Sequence, residues 1–200
     1  MIVGIYLAAG QSKRMGCAKL SLPLGNTTLG SCALETAVTS SLDQIIVITQ
    51  ENDSLSWLPP HFFSESYKQK WKQQSCTASL KGQAESIKCG LSLAQKMKAE
   101  AIMILLADQP FVTRQIIDQM ILLFQEKEPP YIASCFHDVI SPPVLFHSTL
   151  FPALFQLKGD EGARKMIKRN QHGLLIPVTD QRSLQDIDTP EQYLVFRSSF

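Results

Sequence analysis

Three short apolar runs constrain this chain more than any other feature. Ile2–Leu7, Gln44–Thr49 and Ala101–Leu106 are rich in Ile, Val and Leu and show no polar–apolar alternation. A strand with one wet face alternates; a strand covered on both faces reads as a continuous apolar run. Helical spacing separates the runs, over Thr28–Ser40 and over Ala84–Lys98. In the second of these, Ile87, Leu91 and Ala94 share one face and leave Lys88, Gln95 and Lys98 for solvent. Thr113–Lys127 repeats the pattern, with Ile116, Ile117, Met120, Leu123 and Phe124 as its stripe and Thr113 as its N-cap. Strand followed by helix, repeated, predicts parallel strands joined by right-handed crossovers. The expected fold is α/β, a Rossmann-like three-layer sandwich with a mostly parallel sheet.

The second half is less regular. Tyr131–Cys135, Val144–Phe146 and Leu174–Val178 read as strands, and Asp186–Asp188 as a short one. Ser148 is placed to cap a helix through Leu157, and Glu161–Arg169 reads as a helix after the turn Lys158-Gly159-Asp160. Thr189 and Pro190 are the expected N-cap and first residue of a last helix. Between Asn52 and Thr77 no period stands out, and Pro59-Pro60 ends any helix there. With no repeat, low-complexity tract or long linker, residues 1–200 are expected to form one domain.

Charge narrows the partners. The formal net charge is +1, whereas bulk nucleic-acid or membrane-surface binding asks for a strongly basic face. The five cysteines show no paired metal-ligand spacing. No run reaches the roughly 18 apolar residues of a membrane span, and Ile2–Leu7 is too short and lacks the charged leader of an export signal. Free thiols and a cytoplasmic location are expected. His61, His137, His147 and His172 match no ligand spacing, and Trp57 and Trp71 read as packing residues.

The first run stops at Gly10. Ser12, Lys13, Arg14, Gly16 and Lys19 follow within ten residues. In an open α/β sheet, ligands bind beyond the carboxyl ends of the strands, so this loop sits where a ligand would. Gly10 and Gly16 allow positive φ and close backbone approach, and successive N–H groups in such a loop form an anion site. Arg14 can fork two phosphate oxygens while Lys19 acts as a point charge. The spacing is neither that of a P-loop, because Gly16 is followed by Cys17-Ala18-Lys19, nor that of a dinucleotide fingerprint. The residues alone indicate phosphate binding and no more.

The whole string, Leu-Ala-Ala-Gly-x-Ser-x-Arg-Met-Gly-x-x-Lys from Leu7 to Lys19 followed by Leu-Pro-Leu, resembles the opening of the molybdopterin nucleotidyltransferases, and most of all the molybdenum cofactor cytidylyltransferases. The resemblance continues in order through GQAESIKCGL (Gly82–Leu91), LLADQPFV (Leu105–Val112), PPVLF (Pro142–Phe146), GDEGAR (Gly159–Arg164) and DIDTPEQY (Asp186–Tyr193). It implies a nucleotide-diphospho-sugar transferase type of fold, with residues 1–112 as the nucleotide-binding half and 113–200 as the second-substrate half. It also implies a Mg²⁺-dependent reaction. A phosphate oxygen of molybdopterin attacks the α-phosphorus of CTP, pyrophosphate leaves, and the product matures a molybdoenzyme of the xanthine dehydrogenase type.

The resemblance assigns Arg14, Lys19 and Asp108 to catalysis, and Leu7, Ala8, Ala9, Gly10, Ser12, Gly82 and Ser86, with the two cations, to the nucleotide. Asp108 and Asp188 would hold Mg²⁺, a hard ion that takes one or two carboxylates plus phosphates. Asp186 rivals Asp188, since period-2 alternation points both to one face. Gly159, Asp160 and Arg164 fall to the second substrate. Ala9 stands where guanylyltransferase relatives have a glycine, and its methyl group disfavours a purine. Two positions depart from the family: Ala84 replaces a frequent serine, and Ser141-Pro142-Pro143 replaces Gly-His-Pro. A guanylyltransferase, another nucleotidyltransferase of the same fold such as one acting on a sugar phosphate, and a non-catalytic cofactor carrier or insertion factor are the rival readings; a carrier has no need of metal carboxylates.

Overall fold

The computed structural model describes residues 1–12, 14–169 and 172–197; Lys13 of the opening loop lies outside them. The three apolar runs are strands: β1 (Ile2–Leu7), β4 (Gln44–Thr49) and β6 (Ala101–Leu106). A small hairpin of β2 (Pro23–Leu24) and β3 (Thr27–Thr28) precedes helix α1 (Leu29–Val38). The chain continues through α2 (Glu65–Lys68), β5 (Trp71–Ser75), α3 (Gln83–Lys96), α4 (Arg114–Lys127), β7 (Tyr131–Phe136) and β8 (Val139–His147). Helices α5 (Phe151–Leu154) and α6 (Ala163–Arg169), strand β9 (Leu174–Pro177) and helix α7 (Pro190–Arg197) complete it.

Seven strands form one sheet in the order β5-β4-β1-β6-β8-β7-β9. β8 alone is antiparallel to its neighbours, and the remaining pairings are parallel. The missing alternation in β1 has a direct cause. Ile2, Tyr6 and Ala8 pack on one side with α1 and α4. Val3, Ile5, Leu7 and Ala9 pack on the other with α3, α5 and α6. Both faces are dry, so both sets of positions are apolar.

Several expectations need correction. The stretch Asn52–Thr77 carries a 3₁₀ turn (Pro60–Phe63), α2 and the edge strand β5. Pro60 begins a turn there, because its fixed φ suits a first helical position. β5 is half-wet at Lys72, Gln73 and Gln74, which hides it from an apolar search. The helix expected from Ser148 to Leu157 is a 3₁₀ turn (Ser148–Leu150) plus the single turn α5, and the side chain of His147, not Ser148, accepts the capping bond from Thr149 N–H. Asp186–Asp188 is not a strand: its one main-chain bond toward the β6 end is Ile187 N–H to Asp108 O at 2.9 Å. The other assignments agree within a few residues at their ends, β8 being longer than the Val144–Phe146 core. All five cysteines are free thiols, Trp57 and Trp71 are buried, and no helix among the described residues is long and apolar enough to cross a membrane.

Candidate active site

The site begins where β1 and β6 end. Leu7 and Leu106 are register partners, Ala8 N–H reaches Ile48 O, and Ala107 N–H reaches Leu7 O. Two residues beyond the end of β6 comes Asp108. On the β1 side, Gln50 Nε2 donates to Ala9 O at 3.2 Å and to Gly10 O at 3.3 Å, fixing the root of the loop. Among the described residues of the loop Gly16 has φ +66°, and the other left-handed residue is Ser12 at φ +49°, not Gly10. A non-glycine residue held there is strain of the kind stored at functional sites.

A third, small core anchors the far end of the loop. Met15 packs with Leu24, Leu29, Cys32, Ile187 and Tyr193. Ile187 is thereby drawn inward between two aspartates. Thr189 Oγ accepts from Gln192 N–H at 3.3 Å, and Gln192 Oε1 accepts from Asp188 N–H and Thr189 N–H at 2.8 and 3.1 Å. This capping box starts α7. Thr189 does the capping, so the Asp188 carboxylate is left for other partners.

Those partners are the two cations of the opening loop. Lys19 Nζ donates to Asp108 Oδ2 at 2.7 Å, to Asp188 Oδ1 at 2.7 Å and to Ile187 O at 3.1 Å. All three ammonium protons are used, and the side chain is only 8% exposed. Burial works to lower the Lys19 pKa, but the charges of Asp108 and Asp188 and their hydrogen bonds outweigh it and raise it. Arg14 approaches Asp188 from outside: Nη2 lies 2.7 Å from Oδ2, with the arginine side chain 70% exposed.

Asp186 does not share Lys19. Gln109 Nε2 donates to Asp186 Oδ1 at 2.8 Å, to Ser141 Oγ at 3.0 Å and to Leu184 O at 3.1 Å. Burial, then the charge of Asp108, pushes the Asp186 carboxyl up to about 6; the charge of Asp188 adds to this, while the Gln109 bond and Arg164 oppose it. Among the described residues no three His, Cys, Asp or Glu side chains form a ready metal cage. Yet Asp108, Asp188 and the Ile187 carbonyl aim three hard oxygens at one cation, a donor set that suits Mg²⁺ or Mn²⁺.

The cleft above these groups measures about 550 Å³, within the usual range of ligand sites. Leu7, Ala9, Gly10, Ser12, Arg14, Lys19, Gly82, Ser86, Asp108, Asp160 and Asp188 of the expected set line it. Ala8 does not: it faces α1 on the opposite side of β1, because successive strand residues alternate. Gly82 has a use other than the expected approach to a base. At φ +124° it packs on Gly159, where a Cβ would stand 2.3 Å from the carbonyl carbon and oxygen. Gly159 O also accepts from Ala84 N–H at 3.0 Å in the first turn of α3. Sequence reasoning missed Gln11, Ser79, Leu80, Lys81 and Gln83 in the lining. Lys81, a cation beside the motif glycine, was the one available signal.

A second cavity of about 470 Å³ adjoins the first, sharing Gln83, Leu106, Asp160 and Asp186. Ile87, Ile104 and Pro142 give it an apolar floor, and Arg164 and Lys165 stand at its edge. Arg164 Nη2 donates to Ser141 Oγ at 3.3 Å, and Lys165 pairs with Glu161.

An open α/β sheet of this order, with a cation-lined cleft over its strand ends and acids at its centre, belongs to the nucleotidyltransferase class of enzyme. The chain belongs to the family described as the MobA-like NTP transferase domain, which matches residues 4–174. It is 39% identical over 199 residues to the purine catabolism protein PucB of Bacillus subtilis (strain 168), covering 98% of this chain and 96% of that protein. Rv0371c from Mycobacterium tuberculosis H37Rv has a similar structure, with a TM-score of 0.81 at 24% identity over 98% of this chain and 97% of that one. Its complex with manganese gives a TM-score of 0.73 at 24% identity, covering 100% and 99%. Molybdopterin-guanine dinucleotide biosynthesis protein A from Archaeoglobus fulgidus shares the fold, at a TM-score of 0.70 and 15% identity over 100% and 98%.

Proposed function

We propose that this enzyme transfers a cytidylyl group from CTP to the terminal phosphate of molybdenum-loaded molybdopterin, in the cytoplasm, for a molybdoenzyme of the xanthine dehydrogenase type. The observation that carries the reading is the convergence of Lys19, Asp108 and Asp188 beneath a glycine-bearing loop at the strand ends. The relationship to PucB, a purine catabolism protein, favours that destination.

In this reading residues 1–112 seat CTP and 113–200 seat the pterin, with the adjoining cavities bringing the two phosphates together. The acceptor phosphate is largely ionised near neutrality, since such esters lose their second proton near pH 6, so no general base is required. One of its oxygens bonds to the α-phosphorus as the bond to the bridging oxygen breaks, and pyrophosphate carries away that electron pair. Arg14 and Lys19 bind the triphosphate and stabilise charge on the leaving group, a contribution of roughly 3 kcal/mol per well-placed donor. Asp108 and Asp188 would hold Mg²⁺, which neutralises phosphate charge when bound. Ala9, 5% exposed in the cleft wall, narrows the base end against a purine; one methyl group discriminates by about 1–3 kcal/mol. Arg164 anchors the pterin phosphate beside the apolar floor.

The test is pyrophosphate release with Mg²⁺, molybdenum-loaded molybdopterin and each ribonucleotide in turn. Release with CTP, and at least tenfold slower with GTP, is expected; equal rates would remove the cytidine assignment.

A further inference from the structure

The cations expected to hold a triphosphate already have partners. Lys19 is the deeper of the two. Its ammonium is buried, lies 2.7 Å from one oxygen of each acid, and bonds a main-chain carbonyl as well. Arg14 touches only the outer oxygen of Asp188 and remains in solvent. An ammonium this well solvated by protein oxygens occupies the very point on which those oxygens converge. A divalent ion and Lys19 cannot both stand there.

We propose that Lys19 is the resident counter-ion of the Asp108–Asp188 pair, and that the divalent ion enters this site only as a bound triphosphate draws Lys19 out. The proposal rests on the reading of the cleft as a nucleotide site and adds to it an order of events. Lys19 offsets one of the two carboxylate charges and Arg14 the other, so the set attracts stray cations only weakly. A triphosphate at the loop offers Lys19 an anion of higher charge. Lys19 then serves the phosphates, and the vacated acids need a new cation at the moment the substrate supplies further oxygen ligands. The apparent affinity for free ion is reduced by the small fraction of molecules in which Lys19 has left. By linkage, nucleotide and ion tighten one another by the same factor.

The experiment is titration of Mn²⁺, followed by loss of the free-ion electron paramagnetic resonance signal, with and without CTP and without any acceptor. Wild type is expected to bind free Mn²⁺ weakly and at least tenfold more tightly with CTP. K19M and K19Q should each bind free Mn²⁺ at least tenfold more tightly than wild type and gain less from CTP. Two variants are used because the methionine side chain is the more demanding at this buried position; circular dichroism identifies which is folded. D108N should bind weakly in both conditions, which locates the ion. R14M removes a charge from the same carboxylate but leaves Lys19 in place, and should change the affinity less than threefold. The proposal is overturned if the folded Lys19 variant binds free Mn²⁺ no more tightly than wild type, or if R14M tightens binding as much. Calorimetry with CTP on the same wild-type sample separates the two ideas. Absence of CTP binding would sink the nucleotide reading, whereas tight ion binding by K19M would still stand as the property of Lys19.

Discussion

The two adjoining cavities are built on different principles. In the larger, charge is arranged before any ligand arrives: two acids, a buried lysine and an exposed arginine form one hydrogen-bonded set. In the smaller, the floor is apolar, with Ile87, Ile104 and Pro142, and its charges sit at the rim. The first arrangement suits a change in charge and the second suits a shape with one anion, as the proposed division of substrates requires. Variants should therefore fall into separable groups, and those on the shared wall should not.

The largest effect is expected from K19A. It leaves two neighbouring carboxylates without their cation and removes a donor to the leaving group, so kcat/KM for pyrophosphate release should fall by about 10³. A loss under tenfold would show that the charged cavity is not organised around this residue. Next comes G82A, beside Gln83 and against the Gly159–Asp160 backbone, next to the wall the cavities share. The added Cβ meets Gly159 backbone at 2.3 Å in a φ +124° conformation, and strain with overpacking should cost about 3 kcal/mol of unfolding free energy in urea. Both substrates should bind more weakly; an effect on one alone would break the picture of a common wall.

D186N sharpens the contrast through pH. The folded pKa of Asp186 is raised, so its stabilising contribution is complete below about pH 4 and lost as pH rises through about 6. The amide should then match wild type near pH 4 and exceed it by about 3 kcal/mol at pH 8 in metal-free protein, at roughly 1.4 kcal/mol per pKa unit. Equal stability at both pH values would show that the carboxyl is not held against its charge. The smallest effect is the most selective. R164A should raise KM for the pterin about tenfold, equivalent to about 1.4 kcal/mol, and leave the CTP dissociation constant within twofold. R14A should do the reverse. Identical profiles for the two would erase the division between cavities.

The sequence was most readable where one rule acted alone. β1, β4 and β6 are apolar on both faces because helices cover both, and that pattern needs no tertiary information. The opening loop was equally plain, since its cations and glycines are contiguous. What stayed hidden depended on partners distant in the chain. That Lys19 would face Asp108 and Asp188, 89 and 169 residues away, follows from Ile187 joining Met15 in the third core. No local pattern announces that contact. β5 escaped because an edge strand half in water lacks the apolar signature, and the packing of Gly82 on Gly159, far along the chain, has no local signal.

One strand runs against the rest of the sheet. Because β8 is reversed, its opening residues, not its closing ones, lie at the rim where β1 and β6 finish: Val144 pairs with Ile104, and His147 lies back beside Ala101. The turn from Phe136 to Val139 thus lies toward that rim, and Pro142 of the same hairpin lines the smaller cavity. Under the proposed division of substrates, rebuilding that hairpin would change the seat of the acceptor and leave the opening loop that grips the donor in place. On that proposal, divergence of acceptor over an unchanged donor seat is a freedom that this reversal supplies.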